Sequence, residues 1–171
     1  MRFFYLIIYL LLSVNLFATI TEKGVYEYKH GDKNLAVDIF KKACDSGEAV
    51  ACYNLGILYN DGDVVEEDMK KVSELFSKSC NAGCTKACYN LGVFYDYGCN
   101  TYKDKKKAIT LYTKSCESGN IEACFNLGIM YYNGEGSNQD KVHAKKLFHK
   151  ACDGGKNKAC RNYKILEEEG V

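Results

Sequence analysis

The chain has 171 residues, enough for one modest domain. Its 23 lysine and arginine residues balance 22 aspartate and glutamate residues, so charge gives no reason to expect nucleic acid or an anionic membrane as a partner. Proline is absent, which suits a mostly helical chain. Ten cysteines are too many for a reducing cytosol and indicate an oxidising compartment.

The N-terminal segment has the pattern of a secretory signal. Arg2 precedes an unbroken apolar run over 3–12, and Ala18 is the small residue that follows such a core. This run is short for a membrane span. We therefore predict a signal peptide over 1–18, with an uncleaved signal anchor as the alternative. The mature chain, 19–171, is predicted to be secreted or periplasmic and to have no membrane contact after cleavage.

The cysteines repeat with a period of 36 residues, and the residues between them have a helical pattern. Apolar residues at helical spacing precede the first cysteine of each pair and follow the second, and a glycine lies between the two. A period of this length predicts an all-α fold, a right-handed solenoid of antiparallel helix pairs. The predicted units are 20–48, 49–84, 85–120 and 121–156, followed by a polar capping helix over 157–171.

The spacing within each cysteine pair requires the chain to reverse. In one continuous helix, two cysteines eight residues apart would have Cα atoms about 12 Å apart. A disulfide allows no more than about 7 Å, so the reversal must occur at the intervening glycine. Each disulfide then clips two antiparallel helices together. The predicted pairs are Cys44–Cys52, Cys80–Cys88, Cys116–Cys124 and Cys152–Cys160.

Two further cysteines, Cys84 and Cys99, break the period. They flank a helix predicted from Thr85 to about Tyr95, and a mostly helical segment of this length separates them by roughly 20 Å. We therefore predict that they do not bond to each other and are either free or used between molecules. Cys84 lies at a predicted helix N-terminus, where the helix dipole favours the reactive thiolate. Exchange with the nearby Cys80–Cys88 disulfide is the competing outcome.

Two segments resemble the Sel-like repeat, a relative of the tetratricopeptide repeat. They are Ala-Cys-Tyr-Asn-Leu-Gly-Ile-Leu-Tyr-Asn-Asp-Gly at 51–62 and Lys-Lys-Val-Ser-Glu-Leu-Phe-Ser-Lys-Ser-Cys at 70–80. The cysteine pair in every unit is similar to that of one branch, the Helicobacter cysteine-rich proteins. This resemblance implies an α-solenoid of disulfide-linked helix pairs. It also implies penicillin binding with weak β-lactamase activity, or a role in host interaction.

No catalytic residue can be assigned from sequence motifs. The Ser-x-x-Lys, Ser-Asp-Asn and Lys-Thr-Gly motifs of serine β-lactamases are all absent. The three histidines are His30, His143 and His149, and the last two are six residues apart, which places them on nearly opposite faces of one helix. We therefore predict no metal site and no cofactor.

A periodic asparagine series is the candidate binding site, at Asn54, Asn90, Asn126 and Asn162. In tetratricopeptide-like solenoids the helix that carries them lines the concave groove, where an amide can donate to and accept from a peptide backbone. The alternative is that each asparagine ties down a neighbouring helix or loop. Aromatic residues are favoured in recognition, so Tyr53, Tyr89 and Tyr132 are added as groove candidates. Tyr59, Tyr95 and Tyr131 are expected to pack between repeats.

Two functions from different classes follow from these features. The first is a binding module that holds a peptide, a peptidoglycan-like fragment or a partner protein in its concave groove. The second, implied by the family resemblance alone, is β-lactam binding with slow hydrolysis. A scaffold without a ligand is a third possibility. Nucleic acid is not a predicted partner.

Overall fold

The computed structural model describes residues 20–98 and 103–171, and the regular elements within these ranges are all α-helices. The all-α class is therefore confirmed for this part of the chain. The predicted signal peptide and Cys99 lie outside the described residues. No described helix combines the length and the hydrophobicity that crossing a bilayer requires. The chain divides into two compact units, Met1–Cys84 and Thr85–Val171.

Each unit consists of helices that pack against their neighbours in the chain. The first unit contains α1 (20–30), α2 (Lys33–Asp45), α3 (Ala49–Asp61) and α4 (Met69–Asn81). The second unit contains α5 (Thr85–Tyr97), α6 (Lys105–Glu117), α7 (Ile121–Asn133), α8 (Lys141–Asp153) and α9 (Asn157–Glu168). Small residues let the helices approach closely, and the periodic alanines are fully buried, at Ala51, Ala87, Ala123 and Ala159.

A tight turn follows the even-numbered helices α2, α6 and α8. Between α2 and α3, Gly47 adopts a φ of 95°, a left-handed conformation that glycine reaches without steric cost. The backbone N–H of Glu48 then donates to the carbonyl of Ala43 at 3.0 Å, which closes the end of α2. The same conformation recurs at Gly119 and Gly155, with φ of 91° and 90°. The chain therefore reverses where the sequence requires it to.

The turns bring the periodic cysteines together. The Cα atoms of Cys44 and Cys52 are 4.6 Å apart. The other two described bridges have Cα separations of 4.7 and 4.6 Å, at Cys116–Cys124 and Cys152–Cys160. Cys80 and Cys88 are each disulfide-bonded, whereas Cys84 has a free thiol. Closing a loop of nine residues stabilises the fold by about 2.5 kcal/mol on the chain-entropy model.

A glycine–aromatic contact joins successive helices within each unit. A Cβ atom at Gly56 would lie 2.7 Å from the ring of Phe76, so the absence of a side chain lets α3 and α4 approach. The same distance separates a Cβ at Gly92 from Tyr112 and a Cβ at Gly128 from Phe148. The aromatic rings are at most 1 % exposed, so they form the centre of the core. The sequence analysis did not identify this contact.

The contact predicts the effect of adding one methyl group at Gly128. In Gly128→Ala the new Cβ would overlap the Phe148 ring, and overpacking of this kind costs about 1–3 kcal/mol. Alanine has a higher helix propensity than glycine, which offsets about 1 kcal/mol of this cost. We expect a net loss of about 1 kcal/mol, seen as a fall in Tm of roughly 2–4 °C.

A double-mutant cycle provides the control for this prediction. In the Phe148→Leu background the ring is gone, so Gly128→Ala should cost less there than in the native chain. A rise in Tm for the single Gly128→Ala variant would show that the ring moves aside freely and that the contact does not constrain the helices.

Candidate functional site

Aspartate caps fix the start of every even-numbered helix. The side chains of Asp68, Asp104 and Asp140 each accept a hydrogen bond from the backbone N–H three residues later, at 3.0, 3.0 and 2.8 Å. Asp32 caps α2 through the N–H groups of Asn34 and Leu35. These caps satisfy donors that the first turn of a helix leaves unpaired. They keep the 36-residue period, so the signal was present in the sequence but was not used in the predictions.

After the caps Asp68, Asp104 and Asp140, the residue three places later packs against a tyrosine of the preceding helix. Lys71 Nζ lies 4.7 Å from the Tyr59 ring centroid, and Lys107 Nζ lies 4.5 Å from that of Tyr95. The His143 ring meets Tyr131 edge-on, with 4.5 Å between centroids. Each of these three tyrosines is therefore held in a contact within its own predicted repeat, 49–84, 85–120 or 121–156.

The periodic asparagines lie half-buried on odd-numbered helices, at Asn54, Asn90, Asn126 and Asn162. Asn54 borders a pocket of about 200 Å³ whose other walls include Tyr28 of α1 and Phe40 of α2. Asn162 borders a pocket of about 120 Å³ formed with Tyr132, Phe148 and Ile165. Within residues 20–98 and 103–171, the side chains of Asn54, Asn90 and Asn162 have no hydrogen-bond partner. Three of the four amides are therefore available to a ligand.

Asn126 differs from the other three because it is engaged inside the fold. Its Nδ2 donates to the Tyr112 hydroxyl at 3.4 Å, and the Tyr112 hydroxyl donates to Asp96 Oδ2 at 3.2 Å. The corresponding position in the other repeats is phenylalanine, at Phe40, Phe76 and Phe148, which has no hydroxyl to offer. One oxygen atom therefore gives Asn126 the structural role that the sequence analysis set against ligand binding.

Tyr112 belongs to a polar network beside a pocket of about 190 Å³. Asp96 is 7 % exposed, and Lys105 Nζ lies 2.5 Å from Asp96 Oδ1 and 2.5 Å from Glu135 Oε2. Burial lowers the pKa of Lys105, but its hydrogen bonds to Asp96 and Glu135 outweigh burial and leave that pKa raised. Burial also raises the pKa of the Tyr112 hydroxyl, so it remains a neutral donor. The network is thus internally satisfied and organises the start of α6.

The three tyrosines proposed for the groove are not equivalent. The Tyr53 ring stacks on Phe76 with 5.8 Å between centroids, and Tyr89 lies 5.9 Å from Tyr112. Both rings are half-buried and cover aromatic residues of the next helix. Tyr132, in contrast, lines the pocket that contains Asn162. Of these three tyrosines, Tyr132 is the one that the structure places beside an asparagine without a hydrogen-bond partner.

Ser79, Ser115 and His149 do not form a hydrolytic centre with one another. Ser79 and Ser115 are fully buried and donate to backbone carbonyls, those of Ala49 at 2.6 Å and Thr85 at 2.9 Å. His149 is paired with Asp153 at 2.9 Å on an exposed helix face. Across residues 20–98 and 103–171, no three His, Cys, Asp or Glu side chains are grouped so that they could hold a metal ion.

The polar network around Lys105 predicts that the contribution of Glu135 to the free energy of unfolding depends on pH. Hydrogen bonds from Lys105 and then Asn133 lower the pKa of Glu135, so its stabilising effect is present above the unfolded value of about 4.3 and is lost as pH falls through the folded value. Because the side chain is 38 % exposed, Glu135→Gln should cost less than about 1 kcal/mol at pH 7. In urea unfolding, this difference from the native chain should shrink below about pH 4.

The matched control is Asp63→Asn, which breaks the in-phase Lys33–Asp63 pair. Asp63 is 58 % exposed, so this change should cost less than Glu135→Gln at pH 7. A Glu135→Gln cost that is equal at pH 7 and pH 3 would contradict the assignment, since the effect would then not depend on the carboxylate charge.

The chain shows similarity to proteins built of Sel1 repeats. A family model described as Sel1 repeat matches residues 20–48, 49–84, 85–120 and 121–156. HcpC of Helicobacter pylori, named as a candidate β-lactamase, is 46% identical over 48 residues, which are 28% of this chain and 17% of HcpC. The chain thus spans less than a fifth of this curated relative.

Two solved structures are similar in fold. One is a protective antigen of uropathogenic Escherichia coli strains that displays an SLR fold, with a TM-score of 0.86, 26% identity, and coverage of 90% of this chain and 34% of that chain. The other is Helicobacter pylori cysteine rich protein B, with a TM-score of 0.59, 31% identity, and coverage of 76% of this chain and 93% of that chain.

Proposed function

Because the chain belongs to the Sel1 repeat family, in the branch of the Helicobacter cysteine-rich proteins, we propose that it is an exported peptide-binding module. Within each unit, the bound segment lies extended along the odd-numbered helices and is held through asparagine side chains. The observation that carries this proposal is the state of Asn54 and Asn162, whose amides border pockets and have no hydrogen-bond partner among the described residues.

The chemistry of an asparagine amide matches that of a peptide backbone. Its carbonyl accepts and its NH₂ group donates, so one side chain can pair with both polar groups of an extended residue. A half-buried amide without a partner forgoes a hydrogen bond worth about 0.5–1.5 kcal/mol, which a ligand can supply. Asn54, Asn90 and Asn162 can make such contacts, whereas Asn126 is held by Tyr112.

The pocket sizes favour a polypeptide over a whole small molecule. The pockets beside Asn54 and Asn162 have volumes of about 200 and 120 Å³. Sites for drug-sized ligands typically occupy roughly 300–1,000 Å³. A pocket of the observed size suits one side chain of a peptide whose backbone lies outside it. Tyr28 and Tyr132 then supply the aromatic walls that recognition surfaces favour.

An oxidising location is consistent with the same proposal. Three disulfides and two further disulfide-bonded cysteines suit a compartment in which such bonds persist. We therefore propose export through the signal over 1–18, followed by residence in the periplasm or outside the cell. A peptide, a peptidoglycan-like fragment or an exposed segment of a partner protein is accessible there.

The proposal predicts different effects at the periodic asparagines. Peptides are selected from a random library on the oxidised native protein, and their affinities for variants are measured by isothermal titration. Asn54→Ala or Asn162→Ala should weaken binding by roughly threefold to tenfold, the value of one hydrogen bond, with Tm nearly unchanged. Asn126→Ala should instead lower the stability by about 1–3 kcal/mol because it removes a partner of the buried Tyr112 hydroxyl.

The reverse pattern would contradict the proposal. If Asn54→Ala and Asn162→Ala lower the Tm as much as Asn126→Ala and leave affinity unchanged, the series is structural throughout. If no peptide can be selected on the protein, the proposal that its ligand is a peptide is wrong.

Similarity to HcpC, named as a candidate β-lactamase, favours β-lactam hydrolysis as a second function. The sequence lacks the Ser-x-x-Lys, Ser-Asp-Asn and Lys-Thr-Gly motifs of serine β-lactamases, so we expect the purified oxidised protein to hydrolyse a chromogenic cephalosporin no faster than buffer, which would leave peptide binding as the function. Turnover that copurifies with the chain and disappears when the disulfides are reduced would establish the second function instead.

A further inference from the structure

The surface between α8 and α9 contains a larger and more basic pocket than those beside the asparagines. Its volume is about 500 Å³, within the range typical of small-molecule sites. The lining residues are Lys145, Lys146, His149, Lys150, Asp153 and Tyr163. Since the whole chain has a net charge of only +1, three lysines and a histidine around one pocket are a local concentration of positive charge.

Of the residues that line this pocket, one recurs in every repeat and two occur in the last repeat alone. Lys150 is periodic, with counterparts at Lys42, Lys78 and Lys114. Lys146 is not, since its in-phase counterparts are Asp38, Glu74 and Thr110. Tyr163 stands where the other repeats have Leu55, Leu91 and Leu127. Leu127 is 2 % exposed, whereas Tyr163 lines an open pocket, so the last helix pair has acquired a polar surface where the preceding one is core.

Two of the lysines are held in place but retain free donors. Lys145 Nζ donates to the main-chain oxygen of Val171 at 2.6 Å, and Lys150 Nζ donates to the carbonyl of Cys116 at 2.9 Å. An ammonium group has three N–H donors, so each of these lysines has two left. Lys146 makes no hydrogen bond or ion pair with any residue in 20–98 and 103–171. Because the side chains of Lys145 and Lys150 are already ordered, binding a ligand to them costs less side-chain conformational entropy.

The apolar part of the pocket has an equally defined geometry. Lys145 Nζ lies 5.6 Å from the Tyr163 ring centroid, and the His149 ring meets Tyr163 edge-on at 4.9 Å. The aliphatic stems of lysine side chains cover apolar surface while their charged ends remain accessible. Asp153, paired with His149 at 2.9 Å, places one negative charge at the edge of the pocket. That charge offsets part of the positive charge of the three lysines.

We propose that this pocket binds a small organic monoanion, a carboxylate attached to a flat apolar group. Lys146 and the free N–H donors of Lys145 and Lys150 bind the carboxylate through charge-assisted hydrogen bonds. The apolar group packs on Tyr163 and on the lysine stems. This site is separate from the asparagine series and does not depend on the peptide-binding function.

The test uses the full oxidised chain and three probes: benzoate, its neutral isostere benzamide, and inorganic phosphate. Binding is followed by the NMR shifts of the His149 and Tyr163 rings. Benzoate should give saturable shifts of these rings, benzamide should not, and phosphate should bind more weakly than benzoate. Shifts with phosphate equal to those with benzoate would show a purely electrostatic patch and overturn the proposal, as would the absence of saturable binding by benzoate.

The variants take their residues from the other repeats, where the same fold accepts them. Lys146→Glu copies Glu74 and should weaken benzoate binding about tenfold or more, the effect of losing a charge-assisted hydrogen bond. Tyr163→Leu copies Leu127 and should weaken benzoate but leave phosphate unchanged. The control Lys70→Glu reverses an exposed charge in the first unit and should leave benzoate affinity unchanged. Equal losses in Lys146→Glu and Lys70→Glu would overturn the site.

Discussion

The reversal of the chain between two cysteines eight residues apart is the constraint on which the other contacts depend. A glycine with positive φ makes the turn possible, and the disulfide holds the two helix ends at a Cα separation near 4.6 Å. With that separation fixed, α3 must lie alongside α2, α7 alongside α6, and α9 alongside α8. Small side chains and helical glycines then let the following aromatic ring enter the core. Each bridge contributes about 2.5 kcal/mol, which is substantial where a repeat contacts only its neighbours.

Features shared by all repeats were the ones that the sequence could predict. The all-α class, the position of the turn at Gly47 and its counterparts, and the burial of the periodic alanines follow from period, helical spacing and the reach of a disulfide. The aspartate caps keep the same period and could have been predicted by the same reasoning. The glycine–aromatic contact was harder to foresee, because its two members are far apart in sequence and meet only after the helices pack.

Features confined to one repeat could not be predicted in this way. The sequence gives no reason to distinguish Asn126 from Asn162, since both occupy the same position of the repeat. The distinction arises from the Tyr112 hydroxyl, which lies where the other repeats have a phenylalanine ring and which reaches both Asn126 and Asp96. Lys105 forms an ion pair with the buried Asp96 and a second ion pair with Glu135. The added oxygen atom therefore connects Asn126 to Asp96, and through Asp96 to the Lys105–Glu135 pair, in one polar network.

The same comparison between repeats distinguishes residues that have a structural partner from residues that have none. A side chain present in every repeat has a structural explanation available, as Lys150 does through its bond to the Cys116 carbonyl. A side chain that departs from its counterparts without a structural partner, as Lys146 does among the described residues, has no such explanation. Lys146 is exposed, so water solvates its ammonium group in the free protein. In the pocket of about 500 Å³ the proposed carboxylate replaces part of that water, and the neighbouring lysines strengthen the interaction because their charges have the same sign.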